Sequence, residues 1–454
     1  MTMSISTGLV SGMDTGALVS QLMQVEAAPQ TALKAKLSAT QTTATAYRTV
    51  NTALQALTTA ADTVLKPETW TSTKGTSSTG SVTVAAATGA ATGSLTFTVT
   101  SVASTHSTVS TTRWASTTTA ANLTDIEVRS LDGATSKGTI ALDGTESLDQ
   151  VAAKVNGSKL GLTAAVVQTG TNVFALQISA DASGKNAAFS LGGTESFKAA
   201  SVGRDAELKI GTTADAYVVT SSTNVFQGVL AGTTITVSKE ETAPVTVSVV
   251  SDPDAVTTKV SALVDAVNSA LDTIKKQTNN TPGSTAALRG EYAVTQISGQ
   301  LLEALSKAVG ADSPARIGFE LTRDGKLTFT KDKFTAALKD DPALAQTLMA
   351  GTPASNGPDG VVGGGDDVAA VPGIAERLRT AAKTASDATT GTLTSLATGQ
   401  DSMGREIQDR IAAWDVRLAK RKQMLTRQFT AMETALSSLQ NQSSWLAGQL
   451  NSLS

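Results

Sequence analysis

Cysteine is absent from the 454 residues of this chain, and histidine occurs once, as His106. The first absence removes thiol catalysis, disulfides, iron–sulfur clusters and cysteine zinc sites together. The second leaves no partner for a multi-histidine metal site. A Ser-His-Asp triad through His106 is formally open, but the run around it, SVASTHSTVSTT, carries no nucleophile elbow, so it reads as an exposed strand or loop histidine. Aromatics make up 4% of the chain against 40% apolar residues. Ala, Val, Leu and Thr must therefore pack its cores, and large aromatic binding sites are not expected. The net charge of −3 exerts no global pull toward nucleic acid or an anionic membrane. No stretch nears the roughly 18 apolar residues of a membrane span. The opening MTMSISTGLVSGMD lacks the basic and apolar regions of a secretory signal. Phosphate-loop and dinucleotide fingerprints are missing too. The carboxylate pairs Asp340-Asp341 and Asp366-Asp367 fall at a helix–proline break and in a glycine-rich loop, without convergent partners. That loop lacks the alternating ligand spacing of a calcium site. The expectation is a protein with no cofactor and no enzymatic activity.

What is present is a long apolar stripe at the end of the chain. From Gly404 to Leu453, Ile411, Trp414, Leu418, Leu425, Phe429, Met432, Leu436, Leu439, Leu446, Leu450 and Leu453 recur in steps of three and four, the mark of one helix face. A four-four step, Arg421 to Leu425 to Phe429, breaks the heptad and would locally unwind a left-handed supercoil. Such a helix is roughly 70 Å long at 1.5 Å per residue, too long for the core of one ordinary domain, so it must pair. The basic run Arg417–Lys422 reads as its solvated outer face, with Asp401–Arg405 and Glu406–Arg410 as supporting pairs. The partner stripe lies at the other end: Leu33, Leu37, Tyr47, Val50, Leu54, Leu57 and Val64. Ahead of it, Asp14 caps a short helix carrying Leu18, Leu22 and Val25 on one side. The Thr-rich SATQTTATAY weakens this partner, because Thr is a poor helix former.

Between the ends the period changes. From Trp70 to about Ser251, Val, Thr, Ser and Gly alternate with period two, as in half-buried strands. Turns at Asp132-Gly133 and Asp143-Gly144 punctuate them, and one short helix, SLDQVAAKVNG, interrupts. Helical spacing returns after Asp252-Pro253, followed by a hairpin around Asp324-Gly325 and a compact helical pair.

Several local patterns then converge. GLVSGMDTGALVSQLMQVEAAP resembles the opening of bacterial flagellar filament-capping proteins, the hook-associated protein 2 family, through Gly8, Leu9, Ser11, Gly12, Asp14, Glu26 and Pro29. GSLTFTVTSVAS looks like that family's first long strand. SLDQVAAKVNGSKLGLTAAVV resembles a motif of flagellar axial proteins built around Val155-Asn156. The strand–Asp–helix joint falls on Asp252, and Val267-Asn268 stands where the family carries Tyr-Asn. The Gln-Leu-Ala usual after the first strand is missing.

The resemblance and the residue pattern imply an α+β, nested multidomain fold, with β-rich head domains inserted between helical leg regions and the terminal coiled-coil helices paired. The expected parts are a mobile segment at 1–40 and a leg helix at 41–69. A β-rich head domain at 70–119 and 201–251 holds an inserted outer domain at 120–200. A helical leg with a hairpin at 252–403 and a coiled-coil helix at 404–454 complete the chain. What the family does is structural: an extracellular ring at the flagellum's distal tip that promotes folding and insertion of exported flagellin. Expected partners are its own copies, as a homo-oligomer and most simply a pentamer, together with flagellin, an export chaperone and the flagellar type III machinery; nucleic acid and a membrane span are not among them. The stripe residues Leu18, Leu22, Leu54, Leu57, Ile411, Trp414, Leu418, Leu425, Phe429, Met432, Leu436 and Leu439 are the expected interface, ordered late. Two alternatives stand beside this reading: another axial component such as a junction protein, or a surface adhesin with glycan-binding β domains.

Overall fold

The computed structural model of the protein describes residues 14–211, 213, 215–356 and 368–451. Gly8, Leu9, Ser11 and Gly12 of the opening motif, Asp366-Asp367 with most of their loop, and Leu453 lie outside the described residues. The chain divides into two compact units. One is built from its two ends, up to Lys66 and from Thr257 onward; the other is Pro67–Val256. Elements are numbered along the chain.

In the helical unit, α1 (Thr15–Glu26) starts at Asp14, whose carboxylate accepts the Ala17 N–H at 2.8 Å. Next comes α2 (Ala28–Leu65), with Pro29 in the first turn, where no N–H is needed. Its Thr-rich middle stays helical throughout. Thr42, Thr43, Thr45 and Thr49 each donate a hydroxyl to the carbonyl four residues back, which satisfies the polar side chains locally. Meanwhile Tyr47, Val50, Leu54, Leu57, Ala61 and Val64 form a fully buried stripe. The remaining helices are α5 (Pro253–Thr278), α6 (Tyr292–Ser306), α7 (Lys331–Asp340), α8 (Pro342–Ala350), α9 (Ile374–Ser386) and α10 (Thr392–Asn451). At the helix–proline break, Asp341 caps α8 by accepting the Leu344 N–H at 3.0 Å. The strands β16 (Phe319–Leu321) and β17 (Leu327–Phe329) form the expected hairpin. The 60 residues of α10 span about 90 Å.

The β unit opens with a single turn, α3 (Pro67–Trp70), and contains two cores. The inner module has a five-stranded antiparallel sheet in the order β1 (Thr73–Ser77), β15 (Glu241–Ser251), β3 (Gly93–Ser101), β11 (Ala206–Ile210), β12 (Tyr217–Ser221). A second sheet, β13 (Val225–Gln227), β14 (Thr233–Val237), β2 (Val82–Ala86), shares its core of Val82, Phe97, Val99, Leu208, Phe226, Ile235 and Val247. In the outer module, one sheet runs β10 (Phe197–Ser201), β4 (Thr105–Ser110), β8 (Val173–Ser183), β7 (Leu162–Gly170). The other runs β6 (Ser136–Ala141), β5 (Asp125–Ser130), β9 (Phe189–Gly193). The helix α4 (Leu148–Gly157) starts on a capping box between Ser147 and Gln150 and buries Leu148, Val151 and Val155 in the outer core. The chain therefore leaves the inner module after β3, builds the outer one, and returns at β11.

Two particulars differ from the sequence reading. Strand β4 falls in the segment expected to belong to the inner sheet, yet it hydrogen-bonds to β8 and β10 of the outer one. Alternation tells which side of a strand is covered but not which sheet it joins. His106, expected to be exposed, is 1% exposed. On β4 the inward positions are His106, Thr108 and Ser110, so the binary pattern is inverted: polar side chains point in.

The two Val–Asn pairs serve one physical purpose. Asn156 on α4 accepts the Ala164 N–H at 2.6 Å and donates to the Ala164 carbonyl at 3.1 Å. Asn268 on α5 does the same to Leu327, at 2.9 and 2.8 Å. Each amide mimics a neighbouring strand for an edge residue of β7 or β17, satisfying both main-chain groups while pinning the helix. The preceding valine, Val155 or Val267, is fully buried.

Candidate interaction surface on the terminal helices

The interface expected from the sequence rests on how the two chain ends pair. Gln30 donates to Asp415 at 2.5 Å, Glu26 faces Arg421 at 3.6 Å, and Asn51 donates to Thr394 at 3.4 Å. Rising numbers on one helix meet falling numbers on the other, so α2 and α10 are antiparallel. Asp401 pairs with Arg48 across this contact and not with Arg405, which donates to Ser402 at 3.1 Å; Glu406 and Arg410 do pair. Extended residue by residue, the register sets Thr15 opposite Met432. The stretch 434–451 of α10 thus runs on past the start of α1.

Burial falls along this pair in one direction. Near its base, where α9 adds a third wall, Leu54 and Leu57 are fully buried, as are Leu378 and Ala382 of α9 and Leu393 of α10. These two expected interface residues belong to the chain's own core and offer no surface to a partner. In the middle, Ile411, Trp414, Leu418, Phe429 and Met432 are half-buried. Leu425 is buried between half-buried Arg421 and Phe429, so the four-four step keeps that face on the partner helix. Toward the end, α1 turns Thr15 and Val19 inward. Leu18, Leu22 and Val25 face outward, with Val25 76% exposed. Leu436, Leu439, Trp445, Leu446 and Leu450 are exposed as well, Leu439 by 60% and Trp445 by 66%. The sequence marks this apolar tip, and it is also uncharged from Thr434 to Asn451.

The structure adds a feature that no single stripe reveals. Where 26–37 lies against 410–427, the paired helices carry Lys34, Lys36, Arg410, Arg417, Lys420, Arg421, Lys422 and Arg427 against only Glu26 and Asp415. A groove of about 550 Å³ between them is lined by Ala32, Leu33, Ala413 and Trp414 together with Lys36, Arg410 and Arg417. Arg417 stacks on Trp414 at 4.6 Å from the ring centre, a cation–π contact. Lys420 and Lys422 are exposed, as the solvated-face reading expects. Seeing the collar requires the register that brings Lys34 and Lys36 beside α10.

The base of the pair also holds the most shifted titrating group there. Tyr47 is 1% exposed, and burial, reinforced by the Glu291 carboxylate that accepts its hydroxyl, pushes its pKa up to about 12. Among the described residues no group of three His, Asp or Glu side chains is arranged to hold a metal ion, and no helix is long and apolar enough to cross a membrane.

Comparison with known families identifies what this arrangement is similar to. The family profile described as flagellar hook-associated protein 2 C-terminus matches residues 203–441, and that of the N-terminus matches residues 11–106. The flagellar hook-associated protein 2 of Escherichia coli strain K12 is 26% identical over 475 aligned positions, covering 98% of this chain and 97% of its own. The lateral flagellar hook-associated protein 2 of Vibrio parahaemolyticus is 29% identical over 182 positions, covering 38% of this chain and 40% of its own. Among solved structures, the D1-D2-D3 domains of the flagellar cap protein from Escherichia coli align with a TM-score of 0.54 at 23% identity, covering 78% of this chain and 99% of that one. That last likeness is one of fold.

Proposed function

The chain belongs to the flagellar hook-associated protein 2 family, a filament cap of the flagellum, and we propose that it caps as a homo-oligomeric ring whose subunits join through the apolar tip of α1 and α10. Its place is extracellular, at the distal end of the flagellum. The observation that carries the ring reading is the uncharged, exposed run Leu436, Leu439, Trp445, Leu446 and Leu450, with outward-facing Leu18 and Leu22 further back along the same helix pair. Fully burying one such side chain contributes about 1.5–3 kcal/mol, so several covered together offset the ordering of two helices. A tip contact between non-equivalent faces closes into a ring when its rotation allows, and five subunits is the number the reading favours.

The same exposed face suits incoming flagellin, which would meet it in an incompletely folded state and leave it on insertion. Before assembly an export chaperone covers it, and the flagellar type III route carries the chain out. The role is structural, with no reaction assigned. Deleting residues 434–454 tests the reading, because it removes the tip and leaves the α2–α10 pair intact. The shortened chain should lose only the helical circular-dichroism signal of the deleted turns, keep its melting temperature, stay monomeric by mass photometry, and fail to restore filament growth in a strain lacking the wild-type protein. Rings and normal filaments from the shortened chain would overturn it.

A further inference from the structure

The chain's single histidine is placed where the two modules of the β unit join. Two crossovers connect them: residues 102–104 lead from β3 to β4, and residues 202–205 lead from β10 back to β11. Side chains tie these strands: the Ser101 and Ser104 hydroxyls donate to the Asp205 and Val202 carbonyls at 2.7 Å each, and Asn224 accepts the Ala103 N–H at 2.7 Å and donates to its carbonyl at 3.2 Å. Ser104 and Arg204 exchange main-chain bonds at 3.0 and 3.3 Å, the Gly184 N–H donates to the Ser104 carbonyl at 3.2 Å, and the Lys185 N–H donates to Asp205 at 2.7 Å. At the centre, the Gly203 N–H donates to Nδ1 of His106 at 3.2 Å, and the imidazole edge meets the Phe189 ring at 4.7 Å. Glycine is required at 203, since a Cβ would come within 2.9 Å of the Gly184 carbonyl and 3.1 Å of His106 Cβ.

Because Nδ1 accepts a hydrogen bond, the ring is neutral with its proton on Nε2. We propose that His106 is a proton-operated latch at the joint of the two modules: protonation turns Nδ1 from acceptor into donor, removes the bond to Gly203, and loosens the returning crossover at Gly203 and Arg204, while the remaining crossover bonds keep the outer module attached. The charged groups on the surrounding elements are Asp181 on β8, Lys185, Lys198 on β10, and Arg204 and Asp205 on the returning crossover. None of them favours the imidazolium; burial alone acts on the ring and lowers its pKa from the ordinary 6.5. Asp205 is engaged by the Lys185 N–H, Arg204 by Glu240 at 3.5 Å, and Asp181 by the Thr163 hydroxyl at 2.5 Å. The sign follows from burial: the latch is fully closed above the ordinary histidine range and is lost as pH falls through the depressed folded value.

The full chain tests this directly, because one histidine yields one pair of ring nitrogen signals. Ring-nitrogen NMR of the ¹⁵N-histidine-labelled protein should show the Nε2–H tautomer at neutral pH and a titration midpoint below 6.5. Over the same interval, amide exchange at Gly203 and Arg204, corrected for intrinsic rates, should rise about tenfold, the equilibrium weight of one buried hydrogen bond. In His106→Gln, whose neutral side chain cannot be protonated, the rise should be absent. An Nδ1–H tautomer, a ring that titrates without any change in exchange, or an equal rise in His106→Gln each overturns the proposal. If the variant does not fold, the wild-type comparison of ring charge with exchange still decides.

Discussion

Leu57 and Leu439 are the same side chain on the same pair of antiparallel helices, yet the first is fully buried and the second is 60% exposed. Helix propensity does not separate them; the number of neighbouring walls does. At the base, α9 closes the groove between α2 and α10, and Tyr47, Val50, Leu54, Leu57 and Val64 lose all contact with water. Toward the tip α1 is the described element beside α10, and it presents Val19 inward while Leu18, Leu22 and Val25 stay in solvent. Two helices side by side cover one stripe each, and whatever lies outside that stripe needs a third body. At the base the chain supplies that body itself; at the tip, among the described residues, it does not.

The sharpest way to break this comparison is to truncate one leucine in each half. Leu54→Ala should cost about 2–5 kcal/mol, because it opens a cavity among rigid neighbours. Leu439→Ala should change stability by less than about 0.5 kcal/mol and yet impair ring formation. Urea unfolding and mass photometry on the two variants read both effects, and equal destabilisation would erase the distinction between base and tip. A smaller effect concerns alkali. Tyr47 ionises near pH 10 when unfolded and near 12 when folded, so the unfolded chain releases its proton first and stability is lost as pH rises from 10 to 12. The loss should be on the order of 2 kcal/mol. It should vanish in Tyr47→Phe, as measured by urea unfolding across that range. Smaller still, Asn156→Ala and Asn268→Ala should each cost about 1–2 kcal/mol by stranding an edge N–H and carbonyl. Differential scanning calorimetry should show each lowering the transition of its own unit, the β unit for Asn156 and the helical unit for Asn268.

Much of this was legible from residue order. The cap at Asp14, the stop before Pro67, the capping box at Ser147, and the hairpin around Asp324-Gly325 depend on neighbours in the chain, and those signals survive folding unchanged. The apolar stripe of the tip was legible as well, because its steps of three and four depend only on residue order. What escaped depended on distant pairing. Leu54 and Leu57 look like interface residues until α9 is placed on them. The basic collar emerges only when Lys34 and Lys36 lie beside Arg417. His106 sits in a run of Thr and Ser that alternates correctly but with its polar side inward, and no local pattern distinguishes that from an ordinary solvent-facing strand.

Because the chain contains no cysteine, a single introduced thiol reports on one position without background. Leu439→Cys in the full chain, treated with a maleimide, measures whether the tip is open in the monomer and covered in the assembly. The thiol should react at the rate of a free thiol in the monomer and about tenfold or more slowly in the isolated ring, as expected for a side chain at the buried centre of an interface. Equal rates in both states, or protection already present in the monomer, would contradict that expectation.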